Sequence, residues 1–257
     1  MLPRISIITA VYNRESTISS AIDSVLSQQN ANIEYIVIDG KSFDRTQEIV
    51  QSYGNRIDKS ICEADAGIYD ALNKGIHAAT GEVVGFLHAD DLFAGPDVVS
   101  KISKFFLDPS IDAVYGDLVY VDAGRLDRIV RYWKSGKFQS NRFRRGWMPP
   151  HPTVYLRRQR YLDFGVYRKD FQISADYELL IRMMFKQCVK TAYLDEVIVK
   201  MRLGGKSNAS MHNRLLANWE DRRAWEVNDL RPPFALQLLK PLRKLRQFWT
   251  RPKRVLA

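Results

Sequence analysis

Residues 5–39 read ISIITAVYNRESTISSAIDSVLSQQNANIEYIVID, and this stretch decides the fold. Ile5 to Val11 is a compact apolar run of strand length. Ile18, Ala21, Ile22, Val25 and Leu26 then recur at helical spacing, and Ile33 to Asp39 forms a second apolar run. Strand, helix and strand in this order predict a parallel pair joined by a right-handed crossover.

The alternation continues outward. FDRTQEIVQSYG (43–54) reads as a helix with Asp44 as N-cap and Gly54 as its stop. A short strand near Ile57 to Cys62 leads into GIYDALNKGIHAATG (67–81), where Ile68, Ala71, Leu72 and Ile76 share one helix face. EVVGFL (82–87) is the fourth strand. Pro96 opens a helix carrying Val98, Val99, Ile102, Phe105 and Phe106. Strands buried on both faces and separated by helices predict an α/β fold with a mainly parallel sheet flanked by helices.

From Ile111 the elements shorten. DAVYGDLVYVD (112–122) and RIVRYW (128–133) read as an antiparallel pair, followed by a basic, aromatic loop, RFRRGWMPPHP (142–152), and a strand, TVYLRR (153–158). SADYELLIRMMFKQ (174–187) is an amphipathic helix with Tyr177, Leu180, Ile181 and Met184 on one face. DEVIVKMRLGG (195–205) ends in a flexible Gly-Gly, and residues after about 208 form two helices, the last of them basic.

With 257 residues, 46% hydrophobic and 26% charged, the chain has the make-up of a globular protein with a sizeable core. Cys62 and Cys188 are too far apart for a metal-ligand spacing and read as buried small hydrophobes in a reducing compartment. No signal peptide is recognised, and no apolar segment reaches the ~18 to 20 residues needed to span a bilayer. The expectation is therefore a soluble or membrane-associated protein. The net charge of +10 is local: all 29 acidic residues precede Arg231, while eight basic residues lie from Arg231 onward.

In parallel sheets ligands bind at the carboxyl ends of strands. Those ends fall at Thr9 to Asn13, at Asp39, at Glu63 to Asp65 and at His88 to Asp91, all on one predicted rim. The adjacent carboxylates Asp90 and Asp91 repel unless something positive sits beside them. They suit a hard divalent cation bridging a diphosphate, or else a solvated turn.

The ordered segments SIITAVYNRESTISSAIDSVLSQ, YIVIDGKSFDRT, EADAGIYDALNKGIHAATGEVVGFLHADD, HPTVYLRR, GVYRKDFQISADYELLIRM and MRLGGKSN resemble the family 2 glycosyltransferases over roughly residues 4 to 208. The resemblance implies a GT-A (Rossmann-like) fold with a smaller antiparallel acceptor-side portion and a C-terminal helical extension. It implies an inverting sugar transfer from a nucleotide-sugar, foremost a UDP-sugar, aided by Mn2+ or Mg2+. The nearest flavour is the bacterial set that builds O-antigen, capsule or other exopolysaccharide on a lipid carrier. The expected division is a domain at 1–207, with a nucleotide-sugar half at 1–122 and an acceptor and base half at 123–207, followed by the extension at 208–257.

Carried over to this sequence, the resemblance puts Thr9, Tyr12 and Asp39 around the nucleotide base, and Asp65 and Lys74 near the base and diphosphate. Asp39 also suits a loop cap, and Asp65 and Lys74 also suit surface positions. Asp90 corresponds to the ribose contact and Asp91 to the metal ligand. His88 stands where a carboxylate or Asn is common, so it is given only a supporting role. Asp176 matches the base that takes the acceptor's proton, although an acid in a first helical turn is also explained by capping. His151 lies where relatives carry a His-Gln pair near the acceptor, but Pro152 replaces the Gln. Arg202 and Lys206 flank Gly204–Gly205 as cations of a mobile lid or as ordinary loop cations.

FALQLLKPLRKLRQFWTRPKRVLA (234–257) mixes apolar, aromatic and basic residues, as a segment lying on an anionic membrane does; a helix packed on the domain is the other reading. The expected partners are a nucleotide-sugar, a lipid-linked saccharide and the inner face of the cytoplasmic membrane, with no nucleic acid. Two rivals stand beside this. A sugar nucleotidyltransferase would carry a Gly-rich loop after the first strand, but TAVYNRES (9–16) has no glycine. A membrane-bound module without transfer would keep its function in the tail.

Overall fold

The computed structural model of the chain describes residues 2–203, 211–234, 236, 246–250 and 252. At its centre β1 (Ile5–Val11) pairs in parallel with β2 (Ile33–Asp39) on one side and β4 (Val83–Phe86) on the other, and β3 (Lys59–Cys62) extends the sheet beyond β2. The crossovers are α1 (Ile18–Leu26), α2 (Thr46–Ser52) and α3 (Ile68–Ala78). The apolar runs of β1 and β4 are buried because helices cover both faces.

Beyond β4 the sheet becomes mixed. β8 (Tyr155–Arg157) lies antiparallel to β4, and β6 (Ala113–Val121) antiparallel to β8. β9 (Thr191–Arg202) runs parallel to β6, and β5 (Asp91–Phe93) pairs with the end of β9. β7 (Ile129–Trp133) folds back as a hairpin on the last residues of β6. Gly85 sits where the parallel half meets β8: a Cβ there would lie 2.2 Å from the Tyr155 ring, so the two halves come together only over a glycine.

Two cores cover the faces. Ile7, Val37, Val83 and Val114 pack with Ile18 and Ile22 of α1, Val50 of α2, and Val99 and Ile102 of α4 (Val98–Phe105). On the other face Ile8, Ile36 and Phe86 pack with α3, with Phe143 of α5 (Ser140–Phe143), with Tyr161 of α6 (Arg158–Phe164) and with α7 (Ala175–Leu180). Ala224 and Trp225 of α8 (Met211–Glu226) belong to this same core. α8 thus packs into the core built by the preceding elements.

Several local expectations are corrected. Cys62 and Cys188 are exposed, not buried. Ile68 is exposed because it begins α3 before the helix meets the sheet, leaving Ala71, Leu72 and Ile76 as its inner face. Asp44 lies one residue outside the cap position of α2, yet its carboxylate still accepts from the Thr46 amide at 3.0 Å. The basic, aromatic loop begins in the last residues of α5 and buries Phe143, Trp147 and Met148. The helix from Ala175 is not amphipathic: Leu179 and Met183 are as buried as Leu180 and Met184, because α8 covers its outer side, and it continues as a wider π-type turn over Ile181–Lys186.

Candidate active site at the strand ends

The parallel strands deliver their carboxyl ends to one rim, and the loops there are stitched together. Asp39 Oδ1 accepts from the Ser42 amide at 2.8 Å and the Ser42 hydroxyl at 2.7 Å, while Ser42 Oγ accepts from the Asn13 amide at 2.9 Å. Asn13 Oδ1 accepts in turn from the Phe43 amide at 3.0 Å. Asp39 is therefore a loop cap, as its strand-end position allowed. Its other oxygen is buried with no hydrogen-bond partner among the described residues, so a binding capacity remains.

Tyr12 is exposed and meets Phe43 edge-on at 6.1 Å, and Phe43 is 82% exposed. Sequence reading missed Phe43; its signal was an aromatic four residues beyond the end of β2. Gly40 lies between Tyr12 and Asp65, since a Cβ on it would come within 2.3 Å of Asp65 Oδ2 and 3.4 Å of the Tyr12 ring. Tyr12 and Asp65 thus flank Gly40, the residue after Asp39, and Phe43 stands beside Tyr12. Thr9 is fully buried, its hydroxyl accepting from Tyr35 at 3.1 Å. Lys74 donates to the Ala64 carbonyl at 2.7 Å and pairs with Glu63 at 3.1 Å, which ties it to the loop after β3.

At the end of β4 the chain turns sharply, the Asp91 amide donating to the His88 carbonyl at 2.9 Å. Asp90 is partly exposed, whereas Asp91 is fully buried at the start of β5, with no hydrogen bond to either oxygen among the described residues. Burial and the neighbouring Asp90 push the Asp91 carboxyl well above the usual range, opposed by the Arg202 charge and backbone. Arg202 donates to the Asp90 carbonyl at 2.8 Å and to Ser20 Oγ at 2.9 Å. It braces this turn, which corrects the expectation of a mobile lid cation; Lys206 and Gly204–Gly205 lie outside the described residues.

Asp176 sits in the first turn of α7, partly exposed, and Glu178 points inward to Arg182 and Asn228. The loop before Asp176 is held by Glu220 of α8. Its buried carboxylate accepts from the amides of Gln172, Ile173 and Ser174 at 2.6, 2.9 and 2.7 Å. Burial raises the Tyr120 phenol, Arg131 opposes the shift, and the charges of Asp91 and Asp176 add to it, so both carboxylates act on this ring from a distance.

His151 is buried, bonded through Nε2 to the Tyr167 hydroxyl and stacked on Phe86 at 5.5 Å. Burial and the neighbouring His88 ring, 5.9 Å away, pull it down to about 3, so it is neutral at ordinary pH. It shapes the wall under His88 and is closed to an acceptor.

A mixed sheet that curls past four parallel strands, with acids at the end of the fourth and a further acid opposite, is the GT-A type of glycosyltransferase fold. Solved structures share it: a mannosyltransferase from Pyrobaculum calidifontis, in complex with GDP-Man and Mn2+, superposes with a TM-score of 0.64 at 19% identity, covering 93% of this chain and 71% of that one. S. aureus TarS 1-349 in complex with UDP-GlcNAc gives 0.63 at 17% identity, covering 95% and 78%. Against the longer TarS chain, this one spans 42% of its length.

The family model described as glycosyl transferase family 2 matches residues 6–171, and the chain belongs to that family. A PGL/p-HBAD biosynthesis glycosyltransferase of Mycobacterium bovis is 28% identical over 222 residues, 83% of each chain. An uncharacterised glycosyltransferase of Mycobacterium tuberculosis is 31% identical over 187 residues, 70% of this chain and 68% of that one. The chain is a glycosyltransferase, which leaves the nucleotidyltransferase and non-catalytic readings without support.

Proposed function

We propose that this glycosyltransferase moves a sugar, with inversion, from a nucleotide-sugar, foremost a UDP-sugar, to a hydroxyl of a lipid-linked saccharide in surface polysaccharide synthesis. The observation that carries the reading is the strand-end pair Asp90–Asp91, whose buried member has no hydrogen bond to either oxygen among the described residues, in a chain of this family. The pair stands at the end of β4 and Asp176 at the start of α7. A donor held at the pair would present its sugar toward Asp176. The Tyr12–Phe43 ring pair, with the unpaired Asp39 oxygen, suits a pyrimidine base: aromatic surface for the ring and an acceptor for its N–H.

The acids also fit a divalent cation. Two adjacent carboxylates, one partly open and one buried without hydrogen bonds, offer hard oxygen ligands. An ion there would take its remaining ligands from phosphate oxygens and water. In this reading Asp90, which is partly exposed, makes the first contact with the ion, and Asp91, buried beneath it, adds its carboxylate once the ion is bound. Mn2+ or Mg2+ there would offset the charge that develops on the departing diphosphate.

Asp176 then takes the proton from the acceptor hydroxyl as its oxygen bonds to the anomeric carbon, and the carbon–oxygen bond to the nucleoside diphosphate breaks on the opposite side. No described helix is long and apolar enough to cross a membrane. The basic tail and exposed Phe248 and Trp249 favour a peripheral position on an anionic membrane, at the cytoplasmic face where such carriers would be met.

Thermal stabilisation by UDP, GDP, CMP and dTDP, each with manganese, magnesium or chelator, tests the donor site. The expected result is a metal-dependent shift with one nucleotide, UDP foremost. No shift with any of them would remove the reading of the strand-end acids.

A further inference from the structure

Arg131 occupies an unusual position. It belongs to β7, facing Tyr120 of β6; Tyr120 is paired with Met201 of β9, and Met201 with Asp91 of β5. Asp91, Met201, Tyr120 and Arg131 therefore form one row across four strands, and cross-strand partners share a sheet face. Three strand spacings put Arg131 about 14 Å from Asp91, on the far side of Tyr120.

The guanidinium lies in an aromatic box. Its carbon is 4.4 Å from the Tyr120 ring centre, and 5.7 Å from those of Trp133 and Phe248. Nε donates to Gln247 Oε1 at 2.6 Å, so residues 247 and 248 of the C-terminal tail build one wall of the box. Among the described residues the two terminal nitrogens have no hydrogen-bond partner and no carboxylate forms an ion pair with Arg131. Burial pulls the guanidinium down from its ordinary range. A half-buried cation with its forked end open is complementary to an anion. Trp249, 78% exposed, and Phe248, 49% exposed, continue the surface next to it with apolar area.

We propose that Arg131, held by Gln247 and Phe248, binds the phosphate or diphosphate of an amphiphilic acceptor whose hydrocarbon chain lies along Phe248 and Trp249. The apolar surface of Phe248 and Trp249 beside the guanidinium suits the chain of an amphiphile and offers nothing to a nucleotide-sugar, so the anion is assigned to the second substrate. This rests on the glycosyltransferase reading and adds to it the residues that recognise the carrier's head.

Farnesyl diphosphate and inorganic pyrophosphate are the probes, titrated into the full chain with the donor site filled by UDP and manganese. Farnesyl diphosphate should bind the wild-type protein more tightly than pyrophosphate. Arg131→Ala should weaken both by about tenfold or more, Arg131→Lys less so, and Phe248→Ala should weaken farnesyl diphosphate alone. UDP affinity and thermal stability should stay unchanged in all three variants, which separates the site from a merely structural role.

Equal binding of farnesyl diphosphate by wild type and Arg131→Ala, or none by wild type, would overturn the proposal. Loss of UDP binding in Arg131→Ala would assign the guanidinium to the donor instead, and overturn it too. Phosphatidylglycerol vesicles separate a bilayer headgroup from a soluble amphiphile: Arg131→Ala should partition into them as wild type does, and a loss confined to vesicles would overturn the acceptor assignment. Wild type that binds farnesyl diphosphate but not UDP would instead sink the donor reading while leaving this site standing.

Discussion

Asp91 and Asp176 look alike in sequence, each an acid at the start of an element, yet their surroundings set them apart. Asp176 is open enough to meet a hydroxyl. Asp176→Asn should lower kcat by about 10²- to 10⁴-fold and leave UDP affinity unchanged, as stopped-flow or product assays would report; unaltered turnover would remove it as the base. Asp91 is a buried carboxyl whose charged form is disfavoured and whose oxygens have no hydrogen-bond partner among the described residues, so Asp91→Asn in chelator should raise thermal stability by ~1–3 kcal/mol. Asp90→Asn should leave stability alone and abolish the metal-dependent UDP shift. A destabilised Asp91→Asn protein would mean that the carboxylate has support these contacts do not contain. The candidate acids were legible in sequence because strand ends collect on one rim; their exposures were not, because these depend on β9 and Arg202 folding back from more than a hundred residues away. Cys62 shows the same limit: it lies on β3 at the outer side of the parallel strands, where no neighbour covers it.

Among elements, the amino ends of the parallel strands are joined by one carboxylate. Glu34 at the start of β2 accepts from Ser6 of β1 at 2.5 Å, from the Thr80 amide at 2.7 Å just before β4, and from Lys59 of β3 at 2.9 Å. Burial alone would raise its carboxyl, but these hydrogen bonds hold it down at about 2, against 4.5 when free. A folded-state value below the unfolded one gives stability that is full above about pH 4.5 and lost as pH falls toward 2. Glu34→Gln should thus cost up to ~3 kcal/mol at neutral pH, shrinking toward zero in acid. Urea titrations of both proteins at pH 7 and pH 3 would measure this, and a gap of equal size at both values would refute the linkage. The β–α alternation around Glu34 was readable because each element carries its own periodicity. β6 was readable as half of a hairpin, but not as a central strand, since β9 reaches its side from some eighty residues downstream.

At the scale of the molecule, the family match ends at residue 171, but the candidate site proposed above extends to Asp176. Asp176 follows a loop whose three amides are held by Glu220, and Trp225 of the same helix donates to the Tyr177 hydroxyl at 3.1 Å. Glu220→Gln should lower kcat by about tenfold to a hundredfold through a displaced Asp176, with UDP binding retained. Full activity in that variant would show that the loop keeps its shape without the clamp. Removal of residues 231–257 should spare UDP binding and weaken association with anionic vesicles, readable by co-sedimentation. The Glu220 clamp also sets an order of events while the chain is being made. The strands and loops of the donor site lie within its first hundred residues, but the turn bearing Asp176 waits for a partner 44 positions further on. At ~5–20 residues per second that wait lasts about 2 to 9 s. With the roles proposed above, a nascent chain completes the donor site that grips the nucleotide before the turn that carries its base is held, and is assembled as a binder first and a transferase last.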